Sequence, residues 1–209
     1  MDKDSPENWG MAPLGSLIEF SLGGDWGKGP DFQDENYVEV RCIRSSEVKN
    51  WNTEKGLSAA KRKIKKSSLE KRRLREGDII VEVSGGGPDQ PVGRTVLIDN
   101  AALSNDPETP KICTNFFRLI RPVEGIYPKY LDFFLKFFYK TGKVKDFQGG
   151  SNNLRNLKFK DYLGLEVPVP PKGEQHHIVG KIEELFSELD DSVANLETAR
   201  AKLQAYRQS

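Results

Sequence analysis

The run Leu165-Glu166-Val167-Pro168-Val169-Pro170-Pro171-Lys172-Gly173-Glu174-Gln175 leads into a heptad that continues to the last residue, Ser209. Its opening is apolar enough for a strand, but the prolines withhold N–H groups that an interior strand must donate. Glu174 and Gln175 then place a carboxylate and an amide where the start of a helix favours them. Beyond them, Ile182, Leu189, Leu196 and Leu203 recur at one seam position, and Ile178, Leu185, Ser192, Ala199 and Tyr206 at the other. Glu183, Glu184, Glu188, Asp191, Glu197 and Lys202 fall between them as a solvated face. A helix from Glu174 onward reaches ~50 Å at ~1.5 Å per residue. That is too long and too polar for the core helix of one domain, and its seam calls for a partner helix.

Working outward, the 209 residues suit one domain of ordinary size plus this helix. The net charge of +1 hides an asymmetry. Residues 1–40 carry nine acids and two bases, whereas residues 41–76 carry four acids and thirteen bases. Cys42 and Cys113 have no metal or disulfide spacing, which fits a reducing cytoplasm. The acidic, polar start lacks the form of a signal peptide, and the aromatic run 133–139 is broken by Lys136 and too short for a membrane span. These features predict a soluble intracellular protein with no membrane partner.

Periodicity sketches the rest. Residues 1–11 read as a loose lead-in, residues 13–20 as a short turn or helix, and the glycine-rich residues 21–30 as a loop around Trp26. Residues 37–43 alternate as a strand, residues 58–75 read as a short helix and turn, and Gly77-Asp78 is a turn before a buried strand at 79–83. Further strands are expected at 95–98 and 114–120. Pro128 opens an amphipathic helix with Leu131, Phe134, Leu135 and Phe138 on one face, and Gly142 stops it. Residues 148–156 read as a loop. The expected fold is therefore a mixed α/β (α+β) globule, residues 1–165, followed by a strand and long coiled-coil helix, residues 166–209.

Three groups of residues bear on function. Lys61, Arg62, Lys63, Lys65, Lys66, Lys71, Arg72, Arg73 and Arg75 place nine positive charges in fifteen residues, for which DNA phosphate is the obvious counter-ion. A charge run is more often a solvated face. Asn50 and Trp51 lie just upstream and could reach base edges or stack, as could Trp26 and Lys28 from the first loop. Ser151, Asn152, Asn153 and Arg155 carry side chains that pair with base edges or phosphate, although Asn and Ser also favour plain turns.

Catalytic alternatives are weaker. Pro30-Asp31 and Glu47-Val48-Lys49 fit the loose pattern of a magnesium-dependent nuclease, but the pattern is degenerate in a chain with 30% charged residues. Neither glycine loop, at 21–30 or 84–88, has phosphate-loop spacing, and no cofactor motif or methyltransferase tetrad is present. His176 and His177 read as a surface pair. No catalytic residue, metal site or cofactor is expected. A coiled-coil adaptor without DNA contact is the remaining rival.

The order Pro168, Pro170, Pro171, Glu174, Gln175, Ile178, Ile182, Leu185, Leu189 resembles the region that ends each half of the DNA-specificity subunit of type I restriction–modification enzymes. Residues 13–17 (Pro-Leu-Gly-Ser-Leu) and Leu74-x-x-Gly77-Asp78-Ile79-Ile80 extend the resemblance over most of the chain. The resemblance implies a target-recognition domain that reads one half of a split duplex target. It implies that adenine methylation and ATP-driven cleavage belong to methyltransferase (modification) and restriction subunits docked on this one. It further implies an antiparallel helix pair, so Ile178, Ile182, Leu185, Leu189, Leu196 and Leu203 are expected to meet a second recognition half or a homodimer partner. The recognition pattern occurs once, which leads us to expect an N-terminal half of a longer chain before a half-size subunit that dimerises.

Overall fold

The computed structural model describes residues 9–87, 89–151 and 154–208. In chain order, β1 (Gly10–Pro13) leads through a 3-10 turn (Leu14–Leu17) into β2 (Ile18–Gly23). A loop carries the chain to β3 (Tyr37–Ile43), the short helix α1 (Trp51–Glu54), β4 (Ala60–Lys65) and α2 (Lys66–Arg72). Next come β5 (Ile79–Glu82), β6 (Ser84–Gly86), β7 (Thr95–Leu97), α3 (Asn100–Ser104), β8 (Lys111–Cys113) and β9 (Phe117–Pro122). The last third holds α4 (Pro128–Lys140), β10 (Gln148–Ser151), β11 (Leu154–Leu157), α5 (Phe159–Tyr162), β12 (Glu166–Val169) and α6 (Lys172–Gln208).

At the centre is an antiparallel sheet ordered β2-β9-β5-β7. Its middle strands are apolar on both faces, with Ile79, Ile80, Val81, Leu119 and Ile120 all buried, because a core lies on each side. On one side Ile79, Val81 and Ile120 meet Leu131 and Leu135 of α4. On the other, Ile80 and Leu119 meet Ile43, Trp51 and Ile98. A second sheet, β4-β3-β8, has its own small core of Val40, Cys42, Ile64 and Ile112. The amphipathic reading of α4 holds, since Leu131, Phe134, Leu135 and Phe138 all face the first core. Gly142, in the left-handed region at φ 79°, follows its end.

Four expectations need correction. Residues 10–13 form a strand that pairs antiparallel with β12, Gly10 opposite Val169. Residues 18–23 are also a strand, β2, held along β9. The basic residues 60–65 are strand rather than helix, since β3 offers a six-residue antiparallel register and takes Ile64 into the core. Residues 148–157 make the hairpin β10–β11, which pairs onward to β6.

Helix α6 has 37 residues, about 55 Å at ~1.5 Å per residue. Its first turns are fastened to the domain. Gln175 is buried; its carbonyl accepts from the Tyr127 N–H at 2.7 Å, and its amide donates to the carbonyls of Pro170 (3.0 Å) and Gly125 (3.3 Å). Val179 is buried one turn on, His176 stacks on Tyr127 with ring centroids 4.0 Å apart, and Phe186 meets Phe133 edge-on at 6.3 Å. Lys129 also pairs with Glu183. Among the described residues no helix is long and apolar enough to cross a membrane.

Candidate nucleic-acid interface

The registers gather several loops at one end of the central sheet. Gly23 lies opposite Arg118, and Glu82 opposite Phe117, so the exits of β2 and β5 and the entry of β9 coincide. The other end, where Ile18 meets Pro122, continues into the Tyr127 turn that Gln175 holds. Five residue steps along β2 separate the two ends, roughly 17 Å at ~3.4 Å per residue. The loops thus stand away from the root of α6.

The loop after β2 is clamped on all sides. Gly24 donates its N–H to the Phe117 carbonyl, and a Cβ there would lie 2.1 Å from the Thr114 carbonyl oxygen, so only glycine fits. Asp25 accepts from the Gly27 N–H at 3.0 Å and from the Ser68 hydroxyl at 2.6 Å. Arg72 donates to the Gly23 carbonyl at 2.9 Å, and Arg62 to the Trp26 carbonyl at 3.0 Å. The Arg62 guanidinium also covers the Trp26 ring, 4.1 Å from its centroid. Trp26 keeps 38% of its surface exposed, and Lys28 exchanges backbone hydrogen bonds with Lys63, placing this loop along the edge of β4.

The basic segment divides by strand alternation. Arg62 and Ile64 turn toward the small core, whereas Lys61, Lys63 and Lys65 share the opposite face with Arg41, Glu39 and Tyr37 of β3. On that face Lys61 pairs with Glu39 at 3.0 Å and Arg41 with Asp106 at 2.8 Å. Lys63, Lys65, Lys66 and Arg73 form no ion pair among the described residues, and all but the half-buried Lys63 are exposed. Arg62 and Arg72 are occupied in holding the Trp26 loop. Lys71 and Arg75 are likewise exposed and outside the ion pairs among the described residues, and Lys63 and Lys65 face away from the side on which Arg62 holds the Trp26 loop.

Other expected residues fall elsewhere. Trp51 is 5% exposed in the second core, where it cannot stack on a base; its neighbours in sequence are polar, but its ring covers Gly56. Asn50 is exposed and bonds Glu54 at 3.0 Å. Glu47 is 4% exposed and is bound by Arg44 at 2.6 Å and the Ser46 hydroxyl at 2.8 Å, whereas Asp31 is on the surface. Among the described residues no cluster of three His, Cys, Asp or Glu side chains could hold a metal.

The hairpin β10–β11 borders β6, with Arg155 opposite Gly86 and Asn156 opposite Ser84, whose hydroxyl donates to the Asn156 side-chain Oδ1. Arg155 is half-buried, and Ser151 closes the hairpin opposite Leu154. Asn152 and Asn153 lie outside the described residues. Between this hairpin and the Trp26 loop sits the turn 114–116, which the strand expected at 114–120 had absorbed. Its Phe116 is 44% exposed.

On α6, Ile178 and Ile182 are half-buried at the domain, but Leu185, Leu189, Leu196 and Leu203 are 56%, 57%, 70% and 63% exposed. The face held by the domain (Gln175, Val179, Phe186) lies roughly 80° around the helix from the seam, at ~3.6 residues per turn. Both can be occupied together.

Fold and site define a small multi-sheet recognition module, loops at one end and a projecting helix rooted at the other. This chain belongs to the family described as type I restriction modification DNA specificity domain, whose model matches residues 6–199. It is 24% identical over 210 residues to the type I restriction enzyme StySPI specificity subunit of Salmonella potsdam, covering 98% of this chain and 42% of that protein. It is similarly 24% identical over 211 residues to the EcoKI specificity subunit of Escherichia coli (strain K12), covering 98% and 42%. The chain thus spans about two fifths of the length of these curated relatives. Among solved structures, the HsdS subunit from Thermoanaerobacter tengcongensis superposes with a TM-score of 0.57 at 18% identity, over 89% of this chain and 44% of that one. The S subunit from M. genitalium gives 0.54 at 16% identity, over 91% and 42%. At such identities the likeness is one of fold. Family and fold class agree with the resemblance read from the Pro-Pro-x-x-Glu-Gln element.

Proposed function

We propose that this chain is a non-catalytic, sequence-reading part of a type I restriction–modification enzyme, recognising one half of a split duplex target. The observation that carries the reading, beside family membership, is the polarity of the domain. The clamped loops lie toward one end of the central sheet, cations outside any ion pair among the described residues lie along β4 and α2, and the helix leaves from the sheet's other end. Phosphates attracted by Lys28, Lys63, Lys65, Lys66 and Arg73 would set the register on DNA, and loop side chains would read base edges. Residues 1–165 serve recognition and residues 166–209 serve spacing and assembly. Since β1 and β12 pair, that boundary divides roles and not the packing. The exposed seam pairs with a second recognition half or with a second copy of the chain. Methyltransferase and restriction subunits, in the cytoplasm, supply the chemistry.

The nuclease alternative is disfavoured because Glu47 is buried against Arg44 whereas Asp31 is exposed. The reading is tested by incubating the chain with a pool of randomised duplexes and sequencing what it retains. Enrichment of one short motif is expected, with neither cleavage nor methylation when magnesium, ATP and a methyl donor are added. Retention without any motif, or cleavage abolished by Asp31→Ala, would overturn it.

A further inference from the structure

The turn 114–116 occupies the middle of the loop end. On one side Gly24 presses against the Thr114 carbonyl and Asp25 donates its N–H to the Cys113 carbonyl, which seats the Trp26 loop. On the other, the Phe116 carbonyl accepts from the N–H groups of both Val83 (2.8 Å) and Ser84 (3.2 Å), which seats β6 and, through it, the β10–β11 hairpin. The Phe116 N–H in turn donates to the Thr114 hydroxyl at 3.3 Å. The backbone is therefore fixed by three hydrogen bonds, while the residue keeps 44% of its surface in solvent. One edge of the ring lies over Gly85, a glycine at φ 95° where an added Cβ would come within 3.2 Å of it. The adjacent Phe117, by contrast, fills the core and is fully buried.

We propose that Phe116 is a base-contacting residue of the recognition surface, making a direct apolar contact to a base of the target. The inference rests on the DNA-reading proposal above and specifies one of its contacts. Its chemistry differs from that of the flanking cations: phosphate is the same at every step of a duplex, whereas a ring can distinguish a thymine methyl group, or can stack where a step unstacks easily. Because its anchor is backbone and not side chain, the ring can meet a base without a loop having to be ordered first. Leu154, in the neighbouring hairpin, is also exposed, at 47%.

The test uses the full chain and the motif it enriches from the random pool, with a scrambled duplex as reference, at several salt concentrations. Phe116→Ala is expected to lower affinity for the enriched duplex roughly five- to a hundred-fold, the range for losing one base–aromatic contact, with the scrambled duplex unaffected and the salt slope unchanged. Phe116→Tyr should retain binding. Phe116→Leu separates the two contacts: retained discrimination indicates a methyl contact, lost discrimination indicates stacking. A chemical melt of each variant confirms that the domain is folded. A Phe116→Ala protein whose preference for the enriched duplex stays within twofold of the original overturns the proposal, as does an equal loss on both duplexes. If the original chain enriches no motif, DNA reading itself fails and this inference falls with it.

Discussion

Replacing Gln175 by alanine removes the fastening that sets α6 on the domain. The side chain makes three hydrogen bonds in a site where it is 1% exposed. Without it the Tyr127 N–H and the Pro170 carbonyl lose their partners, and an orphaned buried polar group costs about 1–3 kcal/mol. The Gly125 bond, at 3.3 Å, is the weakest of the three and adds little. A total of about 2–4 kcal/mol is expected, read as a lowered urea midpoint with the slope unchanged. Gln175→Glu should be at least as costly near neutral pH, because it keeps the acceptor for Tyr127 but loses both donors and buries a charge. Burial would raise the folded-state pKa of that carboxyl, so its penalty should shrink as pH falls toward and below that value. His177→Ala, at an exposed neighbour, should change stability by less than ~0.5 kcal/mol. A Gln175→Ala midpoint indistinguishable from the original would refute the argument.

Other outcomes follow from the same structure. Leu189→Asp combined with Leu196→Asp should convert a self-associating chain into a monomer in sedimentation at tens of micromolar, with the domain's melting unchanged, since each leucine is worth ~1.5–3 kcal/mol only once a partner covers it. An unmodified chain that sediments as a monomer would count against self-pairing. Burial pushes the Cys113 thiol up to about 12 and raises Cys42 further, so neither should react with a thiol reagent at pH 8 until denaturant is added; rapid labelling of the folded chain would contradict the buried placement. Asp25→Ala should free the Trp26 loop, seen as faster amide exchange at Gly27 and higher Trp26 accessibility to a quencher; an unaltered loop would show the clamp to be redundant.

The parts of this fold that were legible in the sequence are those with a period or a breaker. The heptad announced the exposed seam, the spacing of Leu131, Leu135 and Phe138 announced α4, and Gly77 and Gly142 marked real turns at positive φ. Strand β4 was obscured because four of its six side chains are charged, and only Ile64 enters a core. Its pairing with β3 is a tertiary decision. The hairpin at 148–157 was obscured by Gly149, Gly150 and Asn156, which signal turns locally whatever they pair with. For the site, charge alone could not separate Lys63 and Lys65, which face solvent, from Arg62 and Arg72, which hold carbonyls. Alternation along a recognised strand would have made the first of those distinctions. Trp51 shows the same limit: its burial depends on Gly56 and Ile43, and no periodicity connects them. The lock formed by Gln175 needs the Tyr127 N–H, 48 residues earlier, and was invisible for that reason.

The most direct measurement of the central claim is the salt dependence of duplex binding, compared between the original chain and the combined variant Lys63→Glu, Lys65→Glu, Lys66→Glu, Arg73→Glu. These four cations make no ion pair among the described residues, so the substitution leaves the clamps on the Trp26 loop in place. Each phosphate neutralised contributes about −0.9 to the slope of log K against log salt. The account predicts a steep slope for the original chain and, for the variant, weak binding with a slope flattened by roughly 2 to 4 units. Equal affinities and equal slopes for the two proteins would contradict it.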